Sequence, residues 1–190
     1  FKGDHIMTKH ILFLSLLFSS SVFATVQTDR DYAGVLKELQ QIANQYPQST
    51  EIVNLGNSDS GQDILAIKIG HGSVANLVVA AHHGNEYGST EVALSFANDV
   101  AKNPLSNQTI FVIPVLNIGG YEKRARDEFA GSMWHDPNRN YPGPCGTEGP
   151  FTLKSSQALA DFIDRENIVN SATIHTYYPA VVYPWGLTSH

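Results

Sequence analysis

Three apolar runs of strand length, at residues 64–69, 77–81 and 109–116, constrain the fold of this chain more than any other feature. Short continuous apolar runs bounded by turn residues mark buried strands. Tyr32, Val35, Leu36, Leu39, Ala43 and Tyr46 recur at helical spacing, so the pattern predicts a helix over 31–46, stopped near Pro47. A short strand is expected over 51–55, before the turn chemistry of 57–62. Ser89 can cap a helix in which Val92, Phe96 and Val100 line one face. Pro114 inside the third apolar run predicts an irregular end or an edge. Leu159, Phe162 and Ile163 mark a helix over about 153–166, with short strands expected at 172–175 and 181–183. Early strands followed by strands alternating with helices define an α/β fold: a mixed, largely parallel sheet flanked by helices. Residues 117–150 fit no period. They are 34 residues rich in Gly, Pro, Asn and Arg, and an irregular stretch of that length in a compact domain is usually functional.

Composition removes several classes of protein. An apolar content of 42% supports a sizeable core and excludes disorder. A net charge of −6 with no Lys/Arg run argues against nucleic acid as a partner. Residues 1–6 precede Met7 and read as an upstream scar or untranslated residues. From Met7 the chain has a short basic start at Lys9 and His10, then an apolar stretch over 11–18 broken by Ser15. Val22-Phe23-Ala24 follows as a small-x-small cleavage site, so 7–24 is expected to be a signal peptide cut after Ala24. The apolar stretch is too short to span a bilayer, and no Cys follows the cut, so no stable membrane anchor is expected. The product, residues 25–190, is expected to be periplasmic or secreted, with its charge deepened to −7.

Three polar clusters follow strand ends. They are His82-His83-Gly84-Asn85-Glu86, then Asn117, then His175. In open α/β sheets ligands bind outside the carboxyl ends of strands. His83 and Glu86, separated by two residues in a turn eased by Gly84, can present an imidazole nitrogen and a carboxylate oxygen to one ion. Two His and one carboxylate, with an open position for water, form a catalytic zinc set. His175, 89 residues after Glu86, would complete it. His82 competes with His83, and spacing alone settles neither the ligand count nor the metal.

Four segments together are similar to the zinc carboxypeptidases of the M14, carboxypeptidase A-like family. Residues 58–70 resemble the Ser-x-x-Gly-Arg-x-Ile hairpin, and His83-Gly84-Asn85-Glu86 matches the His-x-x-Glu metal motif. Asp136-Pro137-Asn138-Arg139-Asn140-Tyr141-Pro142 resembles the Asp-x-Asn-Arg-Asn-aromatic substrate motif. Ile174-His175-Thr176-Tyr177, then Tyr183-Pro184-Trp185-Gly186, resembles the strand of the third ligand and its sequel. The resemblance covers roughly residues 30–190 and implies a carboxypeptidase A-like fold. It implies one Zn2+ held by His83, Glu86 and His175. It implies that Asn138 and Arg139 hold the C-terminal carboxylate of a peptide substrate, and that Tyr177 lines the pocket. Arg126, with Arg124 as the alternative, would stabilise the oxyanion. Read without the resemblance, Lys123, Arg124 and Arg126 can equally be a solvated basic turn.

The implied activity is hydrolysis of C-terminal amino acids from peptides. Asn117-Ile118-Gly119-Gly120 stands where many members have Asn-Pro-Asp-Gly, and Gln62 stands where Arg is common. Both mark a divergent subfamily. The family's general base, a Glu on a later strand, is expected beyond His190, so 25–190 reads as the N-terminal part of the catalytic domain and this chain alone as inactive. Cys145 reads either as paired with a partner there or as a buried free thiol. The alternatives are a peptidoglycan-peptide hydrolase or N-acyl amino acid deacylase of the same superfamily, and a non-catalytic zinc/peptide-binding module. A non-haem iron site would use the same donor types, but the helices argue against it.

Overall fold

The computed structural model describes residues 30–143, 150–177 and 179–182. The expected signal peptide, Cys145 and the segment 183–186 lie outside the described residues.

Helix α1, Tyr32–Gln45, starts at Asp31, whose side chain accepts from the Gly34 amide. That cap satisfies one of the orphan donors of the first turn. The helix buries Tyr32, Val35, Leu39 and Ile42, the stripe read from its spacing. Strands β1 (Thr50–Asn57) and β2 (Asp63–Ile69) form an antiparallel hairpin with an irregularity between Asn54 and Gly56. Strand β3, Val74–Ala80, leads into helix α2, Tyr87–Lys102, and β4, Gln108–Ile113, follows. Helix α4, Lys154–Arg165, precedes the last strand, β7, Asn170–Ile174. The five strands run in the order β1-β2-β4-β3-β7. The sheet is mixed: β1-β2-β4 pair antiparallel, and β4-β3-β7 pair parallel. Helices α1 and α2 pack together against the sheet, and Phe162 of α4 sits edge-on to Phe111 of β4 at 5.0 Å. No helix among the described residues is long and apolar enough to cross a membrane.

Four expectations need correction. First, α2 turns a different face inward: Val92 is 55% exposed and Phe96 37%, while Ala93, Leu94, Ala97 and Ala101 are buried. Small side chains let this helix lie close to the strands, and Val92 and Phe96 are left on its outer side. Second, Ser89 is not the N-cap. Glu86 occupies that position, and the Ser89 hydroxyl donates to the Glu86 carbonyl at 2.6 Å. Third, residues 117–150 hold regular structure: α3 (Ile118–Lys123), a hairpin of β5 (Glu128–Ala130) and β6 (Met133–His135), and a 3-10 turn, Pro137–Arg139. These elements are too short for a period to emerge. Fourth, 181 and 182 carry no strand, and both valines are exposed. Pro114 ends β4, a central strand, and its ring therefore costs no ladder bond.

Register places the site. Ala80 of β3 pairs with Ile174 of β7, so His82 and His175 leave neighbouring strand ends together. Beyond β4, the Leu116 amide donates to Ala80 at 3.1 Å and the Asn117 amide to Ala81 at 3.0 Å. The three polar clusters therefore meet at one edge.

Candidate metal centre

Ala81 takes a left-handed φ of 48°, turning the chain sharply out of β3. Gly84 then passes against α3. A Cβ there would lie 2.1 Å from the Gly120 carbonyl carbon and 2.2 Å from the Tyr121 nitrogen, so only glycine fits. The turn sets His83 and Glu86 side by side, and both are buried. His83 Nδ1 lies 3.0 Å from Glu86 Oε1, and His175 Nδ1 lies 2.9 Å from Glu86 Oε2. One ligand atom from each of the three residues falls within 4.8 Å of the others.

These donors suit a zinc ion. His83 Nε2 is 3.2 Å from Asp136 Oδ1, a distance that suits the neutral tautomer donating from Nε2 to the carboxylate. Nδ1 is then left with a lone pair that faces a carboxylate oxygen. Two acceptors at that distance repel, and a cation between them removes the repulsion. A carboxylate behind a ligating imidazole also fixes its tautomer and orientation. Two imidazole nitrogens and one carboxylate match the donor set of catalytic zinc.

Asp136 was legible only as part of a motif; its contacts give it a larger part. Oδ1 also accepts from the Asn138 amide at 2.8 Å, and Oδ2 accepts from Arg126 Nη2 at 2.9 Å. Burial would raise this carboxyl, but the hydrogen bonds from His83 and Arg126 outweigh it and hold it well below the usual range. Asp136 thus joins the cluster to Arg126 on one side and to the Asn138–Arg139 turn on the other. Arg124 instead places its guanidinium 5.7 Å from the Tyr87 ring. Of the two arginines, the structure brings Arg126 to the cluster. Arg139 is exposed and Asn138 half-buried, and the Arg139 guanidinium donates to the Asn138 carbonyl at 3.0 Å. Tyr177 follows His175 by two residues but is 83% exposed, so the described residues do not form a pocket wall around it.

Two further residues support the site: Asn117, singled out by sequence without a role, and Glu128, which the sequence did not mark. Asn117 is fully buried; its Nδ2 donates to the carbonyls of His82 at 3.3 Å and Arg126 at 3.1 Å. The Gly84 amide donates to the same Arg126 carbonyl at 3.0 Å. Glu128 is also fully buried; it accepts from Ser155 Oγ and from the Asp59 amide. Burial pushes its carboxyl up to about 7. An Asn opening a long loop was the one visible signal; nothing marked Glu128.

Fold and cluster define an α/β scaffold with a His/Glu/His donor set at the ends of parallel strands. A family model described as zinc carboxypeptidase matches residues 35–190, and the chain belongs to this M14 family, whose members are zinc metallocarboxypeptidases. Carboxypeptidase B of Astacus astacus is 26% identical, over 84% of this chain and 65% of its own length. The gamma-D-glutamyl-L-diamino acid endopeptidase 1 of Lysinibacillus sphaericus is 31% identical, over 50% of this chain and 27% of its own length. Bovine thrombin-activatable fibrinolysis inhibitor, solved with a tick carboxypeptidase inhibitor, superposes with a TM-score of 0.72 at 20% identity. That match covers 82% of this chain and 63% of the other. Carboxypeptidase A of Helicoverpa armigera gives 0.69 at 21% identity, covering 78% and 46%. The chain thus spans less than two thirds of the length of these relatives.

Proposed function

We propose that this chain carries the metal centre and carboxylate clamp of an exported zinc carboxypeptidase, which removes C-terminal residues from peptides. The observation that carries the reading is Asp136, bonded at once to His83, to Arg126 and to the turn bearing Asn138 and Arg139. It supports one assembled site rather than three unrelated polar patches. His83, Glu86 and His175 hold the zinc. When bound, the ion supplies a Lewis acid and a water of lowered pKa. Arg139 and Asn138 bind the substrate's terminal carboxylate, for which a planar guanidinium is the matching fork. That contact sets the scissile amide a fixed distance from the chain end, which makes the reaction exopeptidic. Arg126, anchored through one nitrogen to Asp136, presents its other N–H groups to the carbonyl oxygen as negative charge develops.

The test is metal content and substrate choice. One zinc per chain is expected after purification. The full-length protein is expected to trim a peptide acid and to leave the C-terminal amide intact. Equal hydrolysis of both would overturn the reading. Export is supported by the basic-apolar-cleavage pattern of 7–24, and N-terminal sequencing of the exported product should begin at Thr25. The bacterial endopeptidase relative favours a second reading, hydrolysis of cell-wall peptides. Release of amino acids from muropeptides, with no activity on ordinary peptide acids, would establish it.

A further inference from the structure

His82 competed with His83 for the metal on spacing alone, and the structure gives it a different task. It is outside the His83–Glu86–His175 cluster, although its ring centroid is only 5.8 Å from that of His175. The ring is 3% exposed, and its Nε2 lies 2.9 Å from the Tyr141 hydroxyl. Its Nδ1 has no hydrogen-bond partner among the described residues, so Tyr141 is its polar anchor there. Burying an imidazole on one hydrogen bond is costly, which makes that bond a defined feature rather than an incidental one.

The two adjacent imidazoles reach the two ends of a single segment. His83 holds Asp136 at its start, and His82 holds Tyr141 at its end. Asn138 and Arg139 lie between these two ties. The far side of the segment is pinned to the start of α4, where Asn140 Oδ1 accepts from the Leu153 amide at 3.0 Å and from Ser156 Oγ at 2.5 Å. The Tyr141 ring packs edge-on against both His82, at 5.7 Å, and Phe151, at 6.1 Å. A metal loop and a carboxylate arm joined at one point can pivot; joined at two points, they hold a fixed separation.

We propose that His82 and Tyr141 are a positioning pair, whose hydrogen bond sets the distance of the Asn138–Arg139 clamp from the metal centre. This rests on the clamp reading above. The pair touches neither metal nor substrate. It lets the protein measure the length between the terminal carboxylate and the scissile bond.

The experiment measures binding of a blocked dipeptide acid and its C-terminal amide to the zinc-loaded chain by calorimetry, alongside zinc affinity. Wild type is expected to prefer the acid. Tyr141→Phe keeps the ring and removes only the hydroxyl; it should reduce the acid-to-amide preference about tenfold and leave zinc affinity within about twofold. His82→Leu should match it, while His82→Gln, which can still reach the phenol, should restore most of the preference. A lower melting temperature with an unchanged acid-to-amide ratio in both Tyr141→Phe and His82→Leu would overturn the proposal. So would a Gln variant as impaired as the Leu variant. If wild type itself binds acid and amide alike, the clamp reading fails and this proposal fails with it. The intact-protein control Arg139→Ala, which removes the fork, separates those two failures.

Discussion

The metal cluster is built from two unequal regions. His83 and Glu86 sit in a sealed turn after β3, each with its side chain about 5% exposed; His175 follows β7 and is 32% exposed. Strand β3 lies between two neighbours and buries Leu77, Val79 and Ala80. Among the described residues strand β7 lies at the sheet edge, and Asn170–Thr173 are all exposed. Two donors are therefore fixed by the core, and the third is delivered by a strand that pairs, among the described residues, with β3 alone. Preorganisation in this site is local to the β3–α2 turn rather than spread evenly.

The inequality of the two regions should be largest at the ligands. His83→Ala and His175→Ala should each weaken zinc binding by more than the 10- to 100-fold typical of residues behind a ligand, read by competition with a chelating dye. The metal-free proteins should differ. His83→Ala removes the hydrogen-bond partner of Asp136 and empties a buried position, and should cost about 1–3 kcal/mol in urea unfolding. His175→Ala should cost less than half of that. Equal losses would show that β7 is as firmly set as β3.

Packing gives the next contrast. Leu77→Ala in β3 opens a cavity under a residue 2% exposed and should cost about 2–5 kcal/mol. Thr173→Ala in β7 should stay within about 0.5 kcal/mol, as an exposed substitution.

Glu128 supplies a pH arm of similar size. Its folded pKa of about 7 stands above the ordinary 4.5, so the folded state holds this proton more tightly than the unfolded chain. The stabilisation is complete below about 4.5 and is lost as pH rises through about 7. Thermal unfolding from pH 5 to 8 should show a decline of up to roughly 3 kcal/mol, flattened in Glu128→Gln. An equal slope in both proteins would remove Glu128 as its source. The smallest effect at the metal itself is expected for Asp136→Asn, a loss of about 10- to 100-fold in zinc affinity from the weakened partner of His83.

What could be read from sequence follows the range of the interaction. The strands of 64–69 and 77–81 and the stripe of α1 were legible because each reports its own burial through local spacing. His83, Glu86 and His175 were legible because a ligand set is a chemical type before it is a position. The inward face of α2 was not, since its alanines carry little apolar signal and win by closeness of approach. Asn117, Asp136 and Glu128 act across 9 to 69 residues of chain, and side-chain hydrogen bonds of that reach leave no period. The split between His82 and His83 was unreadable for the same reason. Their difference lies in partners at Tyr141 and Asp136, not in the turn they share.

The pairing of Ala80 with Ile174 has a consequence for assembly. Side chains alternate along a strand, so a slip of β7 by one residue would turn His175 to the opposite face. Among the described residues β7 pairs only with β3 and buries little apolar surface, so packing alone sets that register weakly. Three donors that close on one ion set it firmly, because only one alignment brings the third into reach. Bound zinc would therefore also select the register of β7, and metal uptake during refolding would report when that strand is aligned.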